Sequence, residues 1–179
     1  MADFITDTNY YFSKGNQLYD LKEYDKAIIA AHLSRNGDSD DIIYLNIAMT
    51  YCMKGDYLKA VKNYAISLAI RSQSEKAWSG SGFCFFTLGK YEEAISRFKK
   101  ALEVDPKYTQ AYLNWGLSLY CMKEEAEAVK VIEEALKNSS LHKSTISERY
   151  KLQLSSAEGR LAKAENEEGK ALLKEQING

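Results

Sequence analysis

The chain repeats itself every 34 residues. Gly82 and Gly116 are 34 apart, and Ala48 lies 34 before Gly82. Ala60, Ala94 and Ala128 share a second column, and Tyr64, Phe98 and Ile132 share a third. Tyr44, Trp78 and Tyr112 open successive repeats with an aromatic. An earlier repeat fits at an offset of 33, with Tyr11, Gly15, Tyr24 and Ala27 preceding Tyr44, Ala48, Tyr57 and Ala60. Ser34 keeps that offset to Ser67, so the missing residue falls between Ser34 and Tyr44. The stretch Arg35 to Asp41 is rich in turn formers, and a loop tolerates a deletion at least cost.

A fixed period of this length marks a stack of supersecondary units, none able to bury its apolar face alone. The columns say what the unit is. A small residue in two columns, such as Gly82 and Ala94, lets two helices approach closely, and Trp78, Phe85, Tyr91 and Phe98 fill the space around that contact. KGD (Gly55) and LGK (Gly89) supply short turns between antiparallel helices. Pro106, the single proline, ends a second helix and begins the next connection. Abundant Ala, Leu, Lys and Glu favour helices throughout.

The third repeat, Glu75 to Tyr108, resembles a tetratricopeptide repeat over nearly its whole length. It carries the W…G…F…A…F…A…P pattern as Trp78, Gly82, Phe85, Ala94, Phe98, Ala101 and Pro106. The second and fourth are looser, with Ser72 and Ser140 in the proline column and Glu125 in the tyrosine column. The first departs most, with Lys14 and Lys22 where the family prefers an apolar residue and a glycine. The resemblance covers roughly residues 8 to 142. It implies an all-α fold: a right-handed superhelical α-solenoid of four hairpins (about 8–40, 41–74, 75–108 and 109–142) plus a long C-terminal capping helix over 143–179.

The resemblance also implies a function. In this family the first helix of each hairpin lines a concave groove that binds a peptide or partner segment. The lining columns fall on Phe12 and Asn16; on Leu45, Asn46, Met49 and Met53; on Lys76, Phe83 and Phe86; and on Asn114, Leu117 and Tyr120. Asn46 and Asn114 occupy the column whose amide can donate to a peptide C=O and accept from its N–H. The rest make an unusually apolar strip, the kind of surface that usually marks a binding site, and methionine lets such a surface adapt to different partners. The competing reading is that the chain's own Phe4 and Ile5, or its C-terminal helix, cover the strip.

One branch of the family clamps the C-terminal carboxylate of heat-shock chaperones with two Lys, two Asn and an Arg. Asn16, Asn46 and Lys76 match its columns, while Phe12 stands in place of the first Lys and Gly80 in place of the Arg. The departures remove two of the charges, a Lys and the Arg, that would pair with acidic groups.

The expected function is therefore a non-enzymatic protein–protein interaction scaffold, an adaptor or chaperone-like module with a protein or peptide partner. Neither a cofactor nor a metal is expected. His32 and His142 have no Cys, Asp or His at ligand spacing. The pairs Glu92-Glu93, Glu124-Glu125 and Glu133-Glu134 read as solvated helix faces, and no Gly-rich phosphate loop is present. Cys52, Cys84 and Cys121 are odd in number and form no CxxC, which argues against a disulfide framework and a zinc knuckle. They read as small core or groove residues. Asn138-Ser139-Ser140 matches a glycosylation sequon by chance.

A formal net charge of −1 draws the chain toward neither nucleic acid nor an anionic membrane. No apolar run is long enough for membrane insertion, and the first twenty residues lack a signal-peptide core, so a cytoplasmic location is expected.

Past Leu141 the pattern changes. Thr145 and Glu148 form a capping box, and Ile146, Tyr150, Leu154, Ala157, Leu161 and Ala164 recur at helical spacing. A single helix from Thr145 to Gln176 would extend about 48 Å, against about 20 Å for one repeat helix. The excess must bend, fray or project, with Gly159 and Gly169 as the weak points. The part before Gly159 is expected to cap the fourth repeat and the part after it to project. The alternative function is assembly, as a homo-oligomer formed through this C-terminal helix. Deleting residues 162–179 should leave the melting temperature nearly unchanged in a thermal melt followed by circular dichroism; a large drop would show that this part packs on the repeats.

Overall fold

The computed structural model describes residues 2–35 and 40–138, with side chains over 7–35 and 40–134. Among these residues eight helices and no strands occur: α1 (Ala2–Asp20), α2 (Tyr24–Leu33), α3 (Asp40–Lys54), α4 (Tyr57–Ile70), α5 (Glu75–Thr87), α6 (Tyr91–Val104), α7 (Thr109–Cys121) and α8 (Glu125–Asn138). They pair as four antiparallel hairpins, α1 with α2 through α7 with α8. The expected C-terminal helix, its capping box, His142 and most of the Arg35–Asp41 turn lie outside the described residues.

The chain forms two compact units, one ending at Pro106 and one beginning at Lys107. In the first, three hairpins are stacked. Ile28 of α2 packs with Ile43 and Ile47 of α3. Tyr64 and Leu68 of α4 share a buried cluster with Ala48 of α3 and with Ala77 and Cys84 of α5. In the second unit α7 and α8 form a hairpin around Leu113 and Ile132.

Within the hairpins one contact recurs. A Cβ added at Gly82 would lie 2.6 Å from Cε1 of the fully buried Phe98. A Cβ added at Gly116 would overlap Ile132. Ala48 and Tyr64, which share those columns, lie in one cluster. A small residue on the first helix thus admits a large one from the second. Glycine within a helix costs about 1 kcal/mol against alanine, while burying a large apolar side chain stabilises by about 1.5–3 kcal/mol. The large side chain wins.

All four hairpins turn through one left-handed residue: Lys22 (φ 61°), Gly55 (φ 85°), Gly89 (φ 74°) and Lys123 (φ 67°). The hydrogen bonds match from turn to turn. Lys22 N–H donates to the Tyr19 carbonyl at 2.9 Å and Glu23 N–H to that of Leu18 at 2.9 Å. Gly89 N–H donates to Phe86 at 3.0 Å and Lys90 N–H to Phe85 at 2.9 Å. This is the Schellman closure of a helix C-terminus, which needs positive φ. Outside glycine that conformation costs about 1–2 kcal/mol.

Side chains tie other ends. Asp56 and Ser74 accept from the backbone N–H of Lys59 and Ala77 at the starts of α4 and α5. The Ser67 hydroxyl donates to the Asp41 carbonyl at 2.8 Å, and Arg71 pairs with the Asp41 carboxylate at 3.5 Å, holding the end of α4 to the start of α3. Arg97 lies over the Trp78 ring at 5.3 Å and the Phe85 ring at 5.6 Å, joining α6 to α5. No helix among the described residues is long and apolar enough to cross a membrane.

Lys22→Gly and Lys123→Gly should each raise stability by about 0.5–1 kcal/mol, and Gly89→Lys should lower it by about 1 kcal/mol. Shifts of the urea midpoint at unchanged slope report both signs.

Candidate peptide-binding site

All twelve residues expected to line a groove lie on first helices of hairpins: α1, α3 and α5 in the first unit, α7 in the second. Their environments differ. On α3, Met49 and Met53 are exposed, and so is Phe83 on α5, at 40%, 56% and 43%. Phe12 on α1 and Lys76 on α5 are also exposed. Leu45 leans instead against the buried cluster of Ala48 and Tyr64. Phe86 is half-buried, with its ring 5.6 Å from that of Tyr91 on its own hairpin. On α7, Asn114, Leu117 and Tyr120 are half-buried, and the Asn114 amide oxygen accepts from the Gln110 amide at 3.0 Å.

Four of the expected residues come together in one cleft of about 220 Å³ between α1 and α3: Phe12, Asn16, Asn46 and Met49. The second helix α2 supplies part of the wall through Ala27 and Ala31. Gly15, Tyr19 and Thr50 complete much of the lining, and Asp20 is its single charged group. Among the described residues no protein hydrogen bond engages the Asn16 or Asn46 side chain. The Thr50 hydroxyl is already used, donating to the Asn46 carbonyl at 2.7 Å. Burial, followed by the neighbouring Tyr24, pushes the Tyr19 phenol above its ordinary pKa, so the ring stays neutral. The lining is thus apolar with two amides and one carboxylate.

The cleft exists because of a column change. Ala31 stands 33 residues before Tyr64, in the column that also holds Phe98 and Ile132. Gly15 stands in the small column with Ala48, Gly82 and Gly116. In α1–α2 small therefore meets small, and the volume that Tyr64, Phe98 or Ile132 occupies in later hairpins is left open. Sequence reading followed the large column only from Tyr64 onward and missed this; the alanine at position 31 was the available signal. Asp20 and the wall from α2 were missed for the same reason.

Gly80 has a different explanation. A Cβ there would lie 2.5 Å from the Tyr64 hydroxyl. Tyr64 of the preceding hairpin fills the place a longer side chain would take, so α5 cannot carry the amide that α3 and α7 carry at Asn46 and Asn114.

Comparison with known proteins agrees with the helix-hairpin fold. Residues 39–107 match the family model described as tetratricopeptide repeat. Residues 39–107 thus carry tetratricopeptide repeats. It is 30% identical over 82 residues to Hsp70-Hsp90 organizing protein 3 of Arabidopsis thaliana, covering 46% of this chain and 15% of that protein. It is 30% identical over 99 residues to the Photosystem I assembly protein Ycf3 of Acaryochloris marina, covering 54% of this chain and 60% of that one. Both relatives are thus matched over less than two thirds of their length. In fold, the crystal structure of the MamA protein superposes with a TM-score of 0.73 at 22% identity, covering 95% of this chain and 92% of that one.

Ala31→Phe restores the large column in the first hairpin. It should hold or raise the melting temperature, whereas Gly82→Ala, which forces a methyl against Phe98, should lower stability by about 1–3 kcal/mol despite its better helix propensity. Thermal and urea unfolding of the two variants separates the signs.

Proposed function

We propose that this chain is a non-catalytic scaffold that binds an extended segment of a partner protein along α1, α3 and α5. The observation that carries the reading is the cleft, with exposed apolar groups beside it and two amides free of protein hydrogen bonds within it. A large apolar side chain of the partner, aromatic by volume, enters between Phe12 and Met49. The Asn16 and Asn46 amides hold its backbone, each able to donate and accept. Met53 and Phe83 extend the contact along α3 and α5, and the flexible thioethers adapt to the segment.

The charge pattern narrows the partner. The cleft holds Asp20 and no cation, Phe12 stands where a lysine would clamp a carboxylate, and Tyr64 occupies the room an arginine would need at position 80. A neutral or basic segment suits this lining better than an acidic chain terminus. The partial relatives support the general class: one is named as an organizer of two chaperones and the other as an assembly protein. Asn114, Leu117 and Tyr120 belong to the same proposal as the equivalent face of α7.

The test is capture of partners from source-cell extract on immobilised protein, read by mass spectrometry, with affinities then measured for the proteins recovered. Met49→Glu and Phe83→Glu should each weaken binding about 30-fold or more, the scale of losing a hot spot, with helicity unchanged. Ala31→Phe should weaken it by filling the cleft without adding charge. Leu58→Glu, an exposed position on α4, should leave binding intact. Partners that bind all four variants alike would place the contact elsewhere.

A further inference from the structure

Two of the three cysteines meet. The sulfurs of Cys52 on α3 and Cys84 on α5 lie 2.8 Å apart. Both are thiols. Their separation is under an ångström longer than the covalent bond of about 2.05 Å between disulfide sulfurs. The two helices belong to successive hairpins of the first unit, and the space around the sulfurs is shared with Tyr64, whose hydroxyl oxygen lies 3.8 Å from the Cys52 sulfur. Tyr64 is itself pinned against Gly80, so the junction has little room to separate the thiols.

The two sulfurs are not equivalent. Cys84 is fully buried, while Cys52 is partly exposed. The hydrogen bond from Cys84 is the leading cause that brings the Cys52 thiol below its ordinary pKa, against the opposing effect of burial, with Tyr64 adding a further hydrogen bond. The contact with Cys52 and burial push the Cys84 thiol well up. The accessible sulfur is therefore the one that ionises first, the arrangement of an attacking cysteine beside a resolving one. Cys121, on α7, is exposed.

We propose that Cys52 and Cys84 are a redox pair, oxidised by a low-molecular-weight disulfide of the glutathione class to a bond that staples the second hairpin to the third. In the first step the Cys52 thiolate attacks one sulfur of glutathione disulfide. The glutathione S–S bond breaks, a mixed disulfide forms at Cys52, and one glutathione leaves as thiolate and takes up a proton. In the second step Cys84 gives up its thiol proton to water and attacks the Cys52 sulfur. The mixed disulfide breaks and the second glutathione leaves, taking up a proton in turn. Two cysteine thiols are oxidised, and one glutathione disulfide is reduced to two thiols. The bond closes a loop that contains the whole of α4. It fixes the spacing of α3 against α5, on which Met49, Met53 and Phe83 lie. The chemistry is independent of what that face binds.

The experiment uses the full chain carrying Cys121→Ser, reduced, equilibrated at graded ratios of oxidised to reduced glutathione, quenched with acid and alkylated. Non-reducing tryptic digestion should yield Asn36–Lys54 joined to Ala77–Lys90, with an intact mass lower by two hydrogens. The melting temperature should rise by about 5–10 °C through loop closure in the unfolded chain and return on adding dithiothreitol. With Cys84→Ala the reaction should stop at a glutathione adduct on Cys52. Full alkylation of both cysteines at the most oxidising ratio would overturn the proposal. So would a glutathione adduct on Cys52 that persists while Cys84 is intact, or a linked product with an unaltered melting temperature.

Discussion

The architecture depends on one steric bargain, repeated: a first helix gives up its side chain so that the second can insert a large one. Gly82 under Phe98 is the clearest case, with Gly116 under Ile132 beside it. The helices of a hairpin can then approach closely enough for short turns, and the turns in turn fix which faces are left to stack on the next hairpin. Ile28 on Ile43 and Ile47, and Tyr64 on Ala77 and Cys84, follow from that placement. Stability in such a stack is a sum of hairpin terms and neighbour terms, so a change at one level has local consequences.

Where the bargain lapses, a cleft opens. In the first hairpin both partners are small, Gly15 and Ala31, and the unfilled volume opens beside exposed Phe12 and Met49. A residue chosen for packing in one hairpin is thus withheld in another, and the same backbone supplies a cleft without any insertion or extra loop. At Gly80 the reverse holds: packing by Tyr64 takes up the room that a binding side chain would need.

Much of this could be read from the sequence because the period is long and the columns are chemically pure. The glycines and aromatics of the third repeat locate α5 and α6, and the KGD and LGK motifs locate two of the turns. The candidate site was legible only in part. Family register places Leu45 and Phe86 on the lining face, but a side chain at the edge of that face can lean into the core or onto its own partner helix, as these two do. Cys52 and Cys84 are 32 residues apart, two columns out of register. Contacts between neighbouring first helices fall off the period, and column reading does not see them. The amide pair Asn16 and Asn46 was visible in register; the missing aromatic between them was not, because an absence in one row stands out only once all rows are aligned.

The left-handed turn residues carry a consequence for how the molecule opens. Glycine sits at this position in the hairpins formed by α3–α4 and α5–α6, and lysine in those formed by α1–α2 and α7–α8. Each lysine holds a conformation that costs about 1–2 kcal/mol, and the chain regains that energy when the turn lets go. The hairpins with glycine turns are then the durable middle of the order of unfolding, and those with lysine turns its early steps. In the first unit the lysine turn belongs to the hairpin that lines the cleft. Amide protons there would exchange through local openings well before the stack as a whole gives way, so a ligand that bridges α1 and α3 would act as a brace on the weakest rung.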